Sequence, residues 1–80
     1  MATFATSVLL QFENADGTVT TSHTLHWTDA ACHDEAIAAA VANAKKLKPH
    51  LQVVDAIGGN QETGHSKRAS FDGAIATSVY

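Results

Sequence analysis

A single cysteine leaves this 80-residue chain without an internal disulfide. Nowhere does it hold a run of ~18 apolar residues, the length needed to cross a bilayer as a helix, so no membrane partner is expected. No basic residue precedes the first apolar segment, which therefore reads as structure rather than as a secretion leader, and a soluble cytoplasmic protein is expected. Lysine and arginine are missing from residues 1 to 44, which contain five acids, whereas residues 45 to 80 hold all five basic residues and three acids. The net charge of −3 argues against a generic nucleic-acid binder, and the segregation makes the chain electrically two-ended. Phosphate-cradling glycine motifs of the G-x-x-x-x-G-K-[ST] or G-x-G-x-x-G type are lacking too.

What the chain does contain is one long helical signal, Thr28 to Lys48. Ile37, Ala40, Val41, Ala44 and Leu47 recur at three and four residues and so share a stripe. Thr28 is the expected N-cap, with Asp29, Asp34 and Glu35 near the positive end of the dipole. Lys45, Lys46 and Lys48 sit at the negative end, and Pro49 forbids continuation. A chain this short buries only somewhat more than ~60% of its unfolded surface, so residues 1–80 are expected to make one domain around this helix.

Strands account for the rest. Phe4, Thr6, Val8, Leu10 and Phe12 alternate with the mixed set Ala5, Ser7, Leu9 and Gln11, and Val19, Leu25 and Trp27 mark the apolar side of a second strand. Asn14-Ala15-Asp16-Gly17 reads as a four-residue hairpin loop. That loop pairs Phe12 with Val19 and Phe4 with Trp27 and merges the two apolar faces. Phe12 and Trp27 are then expected between sheet and helix. Leu51 to Ile57 reads as a third strand stopped by Gly58-Gly59, and residues 58–68 as a polar loop. Ala69 to Tyr80 fits a helix by the spacing of Phe71, Ile75 and Val79, but Gly73 and the Ile, Thr, Val and Tyr content favour a strand. The expected fold is α+β: a small antiparallel sheet in ββαββ order with one helix packed on one face.

Residue chemistry narrows the function only by elimination. His23, His26, Cys32 and His33 fall within eleven residues and include good zinc ligands. On a strand, however, His23 and His26 point to opposite faces, and Cys32 and His33 diverge by ~100° around a helix. The expectation is therefore no metal and no cofactor, with His23 partly buried and His26 exposed. Asp29, Asp34 and Glu35 around Cys32 disfavour its thiolate, so no nucleophile is assigned, and no enzyme is expected.

Three function classes are weighed. The first is a non-catalytic protein-binding module; small phage or mobile-element inhibitors, anti-CRISPR proteins among them, share this size and architecture, although no motif ties the chain to them. The second is a nucleic-acid-associated accessory domain. The third is a small metal-binding protein using His23, His26, Cys32 and His33. The candidate binding residues are Lys45, Lys46, Lys48, Lys67 and Arg68, which would form a basic patch if the helix C-terminus and the loop meet. The terminal strand around Ile75 to Tyr80 has no charge after Asp72, and pairing at that edge would give a homodimer.

Overall fold

The computed structural model describes residues 1–71, in which four strands and one helix follow in the order β1 (Ala2–Glu13), β2 (Val19–Ala30), α1 (His33–Leu47), β3 (Gln52–Asn60) and β4 (Ser66–Ser70). The strands form an antiparallel sheet in the spatial order β2-β1-β3-β4, and the helix covers one of its faces. The α+β class and the ββαββ order follow from the sequence pattern as expected. No helix among the described residues is long and apolar enough to cross a membrane.

The apolar stripe of the helix is buried as its spacing requires: Ala36, Ile37, Ala40, Val41 and Ala44 face the sheet. Ile37, Ala40, Val41 and Ala44 meet Val8 and Leu10 of β1, Val53 and Ala56 of β3, and Leu51 between helix and strand. A smaller cluster at the helix start joins Phe4, Ala30 and Ala36. There the Phe4 ring meets His33 edge to face, with centroids 5.0 Å apart. Alanine on the helix lets the two layers approach closely, and Gly58 serves the same end on the sheet. A Cβ at Gly58 would lie 3.1 Å from Cγ1 of Ile37 and 3.4 Å from Oγ1 of Thr6. The expected stop at Gly58-Gly59 is thus replaced by a strand that continues to Asn60, with the glycine marking close packing.

The helix starts five residues later than Thr28. Thr28 and Asp29 are held in β2 by pairing with Phe4 and Thr3, and Oγ1 of Thr3 donates to Oδ1 of Asp29 at 2.8 Å. Cys32 caps the helix in extended conformation without a side-chain bond. Glu35 supplies the acceptor instead, with Oε2 taking the Ala31 amide at 3.3 Å. At the far end the Lys48 amide bonds the Ala44 carbonyl before Pro49 ends the helix.

The hairpin register differs from the expected one by one residue, and this changes which face β2 presents. Phe12 pairs with Thr20 and Phe4 with Thr28, across a five-residue loop, Asn14 to Thr18. Gly17 at φ +88° closes the turn by donating to the Asn14 carbonyl, and Asp16 Oδ1 then takes both the amide and the hydroxyl of Thr18. Tying Thr18 into the loop makes the loop length odd. Every β2 side chain is thereby moved to the other face. Trp27 and Leu25 lie on the face away from the helix, 64% and 60% exposed, and Trp27 is not a core residue. Phe12 keeps the helix-side parity but is 41% exposed beside the turn. The same shift exchanges the histidines: His23 is exposed, whereas His26 is half-buried on the helix side with Nε2 2.8 Å from Oγ1 of Thr24.

β3 carries one bulge, at which Leu9 opposes Asp55 and Leu10 opposes Val53, so Val54 is extra. The fourth strand, Ser66–Ser70, starts inside the stretch expected to be loop and takes in Ala69 and Ser70 of the expected terminal strand, and the real turn is shorter, with Gly64 at φ +78°. The expected strand within Ala69 to Tyr80, and the edge around Ile75, lie beyond the described residues except for Ala69 to Phe71.

Candidate functional site

The five basic residues occupy three places. Lys45 and Lys46 lie in the last helical turn, with Lys48 as the C-cap. Lys67 lies beside the first turn of the same helix, where Nζ donates to Oδ1 of Asp34 at 2.8 Å. A helix of 15 residues separates these two groups by about 20 Å. Arg68, next along β4, points to the opposite face, where Nε and Nη2 sit 2.7 and 2.6 Å from Oδ2 of Asp55. The geometry thus does not gather Lys45, Lys46, Lys48, Lys67 and Arg68 into one patch.

The two ion pairs differ in kind. Lys67 and Asp34 are both solvent-exposed; the hydrogen bond and the charge of the lysine hold the Asp34 carboxyl below its ordinary value, and those of the carboxylate raise Lys67. Such a pair contributes little to stability. Asp55 is 3% exposed, and its Oδ1 also takes the Ala56 amide at 2.9 Å, so the Arg68 contact compensates a desolvated carboxylate. The start of the helix is further tied to the β3–β4 turn, because Nε2 of His33 donates to the His65 carbonyl at 3.1 Å. These contacts make a structural clamp.

Metal and pocket chemistry find little support. Among the described residues no group of three or more His, Cys, Asp or Glu side chains is placed to hold a metal ion, and His23, His26, Cys32 and His33 do not converge. A shallow groove of about 480 Å³ runs between the helix and β4, lined by Ile37, Val41, Ala69 and Phe71 with Asp34 and Lys45 among its polar members. It is open and mostly apolar, and its described lining residues place no nucleophile beside a base.

The surface that stands out is the margin formed by β2. This strand is twelve residues long and lies at one edge of the sheet, and among the described residues nothing pairs with its outer side. The Asn14 amide bonds the Thr18 carbonyl, and the β1–β2 register then runs without a bulge. By antiparallel alternation the even-numbered β2 residues bond β1, and the odd-numbered ones turn their N–H and C=O outward. Thr3 confirms the phase from β1, since its carbonyl accepts from Gln61, on the β3 side. Val19, Thr21, His23, Leu25, Trp27 and Asp29 therefore combine a free backbone edge with side chains on the uncovered margin of the far face. Leu9, Gln11 and Asp55 at the centre of that face are buried, and among the described strand residues the exposed large apolar side chains on it are Val19, Leu25 and Trp27 of β2.

The opposite edge is protected. β4 has five residues and carries Lys67 and Arg68, the kind of charges that discourage strand addition. β2 has neither lysine nor arginine. Sequence reasoning missed this surface because it assigned Leu25 and Trp27 to the core. The signal that could have found it is Asn14-x-x-Gly17, a turn followed by a left-handed glycine, which fits an odd loop as readily as an even one.

Compared with known proteins, the chain matches no family model, no curated protein and no solved structure.

Proposed function

We propose that this protein is a non-catalytic protein-binding module whose contact surface is the β2 edge and its exposed apolar pair, Leu25 and Trp27. The observation that carries the reading is the coincidence of a twelve-residue edge that, among the described residues, has no partner strand on its outer side with two large apolar side chains more than half exposed beside it. Backbone pairing supplies affinity in strand addition, and alternate side chains supply specificity. Tryptophan is among the residue types enriched at the energetic centres of interfaces. The setting is taken to be the cytoplasm, where the exposed thiol of Cys32 stays reduced. A small inhibitor that acts by occupying a partner, of the phage or mobile-element kind, is a role that suits such a surface.

The test is capture of a protein partner from the native cell by the parent chain and by Leu25→Lys/Trp27→Lys. Loss of capture in the variant, with an unchanged circular dichroism spectrum, supports the reading. Capture that survives this change but is lost when Lys45, Lys46 and Lys48 become Glu would move the site to the helix C-terminus. Binding of nucleic acid that falls steeply with salt would replace the protein reading altogether.

A further inference from the structure

We propose that the occupant of the β2 edge is β2 of a second copy of this chain, paired antiparallel about a two-fold axis at His26 to join two four-stranded sheets into one of eight. The proposal rests on the reading of this edge as a protein-contact surface and names what it contacts.

Strand self-pairing about a two-fold axis sets residue i opposite a constant minus i, and the outward groups of β2 restrict that constant. Only odd-numbered residues offer N–H and C=O to a neighbour, so the hydrogen-bonded pairs must join odd to odd. With the axis at His26, Leu25 of each copy faces Trp27 of the other, and His23 faces Asp29. Both Leu25 and both Trp27 side chains then lie side by side in one apolar strip on the far face, each shielding part of its neighbours' surface from water. The imidazole of His23 meets a carboxylate whose Oδ1 is already engaged by Thr3. On the helix side Thr24 faces Thr28, a favourable cross-strand pair.

Neighbouring registers match less well. An axis at Leu25 sets Leu25 against itself but Trp27 against His23, an axis at Thr24 sets Trp27 against Thr21, and an axis at Trp27 sets Trp27 against itself but Leu25 against Asp29. The His26 axis alone of these matches both Leu25 and Trp27 with apolar partners and the acid with an imidazole. Nothing on β2 opposes the approach, since the strand has no cation and a single acid at its end, and its pairing with β1 has no bulge to twist the edge away.

Sedimentation of the intact chain from about 1 μM to about 1 mM tests the pairing. The expected result is a shift from the 8.4 kDa chain to twice that mass with rising concentration. Leu25→Lys/Trp27→Lys, which sets cation against cation in this register, is expected to weaken association at least about tenfold without altering the spectrum of the fold. The register has its own readout. In a Cys32→Ser background, His26→Cys should form an intermolecular disulfide on mild oxidation, because residues opposite each other in a non-hydrogen-bonded pair have Cα atoms about 4.5 Å apart. Thr24→Cys, four residues out of alignment with its counterpart, should not. A monomer at every concentration overturns self-pairing, yet leaves the protein-binding reading standing if the partner capture described above is still lost on changing Leu25 and Trp27. A dimer that ignores those two residues, or that crosslinks through Thr24→Cys in place of His26→Cys, overturns the proposed pairing.

Discussion

Phe4 and Trp27 are the largest aromatic contributions of the two hairpin strands, and the structure places them on opposite faces of the sheet, so their replacement should cost very different amounts. Phe4 is 1% exposed and meets His33 and the start of the helix. Phe4→Ala removes the full burial and leaves a void under the helix N-terminus, a change that costs about 3–5 kcal/mol. Trp27 keeps only about a third of its surface covered. For a side chain of up to about 250 Å² that is roughly 90 Å², or at most ~2 kcal/mol at ~25 cal/mol per Å². Trp27→Lys retains an aliphatic stem over the same strand and should cost less, about 1 kcal/mol. For a domain of this size, 1 kcal/mol moves the melting temperature by about 4–8 °C. Phe4→Ala is therefore expected to melt at least ~12 °C lower or to be unfolded, and Trp27→Lys within ~8 °C of the parent. Thermal circular dichroism at low micromolar concentration is the assay, since dilution limits any contribution from association. Equal losses, or a larger loss at Trp27, would refute the face assignment and with it the five-residue hairpin loop.

The remaining predictions concern the clamp and the sheet. Arg68→Met leaves Asp55 buried with only the Ala56 amide as partner, and should cost about 1–3 kcal/mol in denaturant unfolding, a loss largely recovered by adding Asp55→Asn. Arg68→Glu sets a second carboxylate beside Asp55 and should destabilise more than Arg68→Met, so reversing charge at Arg68 cannot serve as a fold-neutral probe of binding. Lys67→Ala should raise the Asp34 carboxyl toward its ordinary value in an NMR titration. The signs follow from the direction of each shift. Asp34, lowered by Lys67, adds its share of stability above the ordinary aspartate range and loses it as pH falls through the folded-state value. Lys67, raised by Asp34, adds its share below the ordinary lysine value and loses it as pH rises through its own. Gly58→Ala should cost about 1–3 kcal/mol, because its Cβ crowds Ile37 and Thr6 in a packed interface.

Sequence pattern reached the class and order of this fold because both rest on short-range periodicity. The helix stripe Ile37, Ala40, Val41, Ala44 and the alternation Phe4 to Leu10 each state their buried side without reference to anything distant. The helix start was misplaced because a capping threonine and a strand threonine look alike in isolation. What decides between them is Thr28 pairing with Phe4, a contact 24 positions away.

The candidate site was lost through one assumption that is sound for most sheets. If apolar residues on two paired strands must share a face, the loop between them has to be even, and Trp27 must be buried. In this protein the loop chemistry wins over that rule: Gly17 in the left-handed region and the two hydrogen bonds that Thr18 donates to Asp16 define a five-residue connection. The polar residues of β2, Ser22, Thr24, His26 and Thr28, are half-buried on the helix side, while Leu25 and Trp27 face outward. A sequence that merely tolerated the odd loop would be expected to place polar residues on the outward side, as β4 does with Arg68. Keeping leucine and tryptophan there, on a long edge without a cation, forgoes the usual protection against strand addition. That exposure stabilises nothing within the described residues, which is why the conflict between local pattern and fold marks the surface at which binding is proposed.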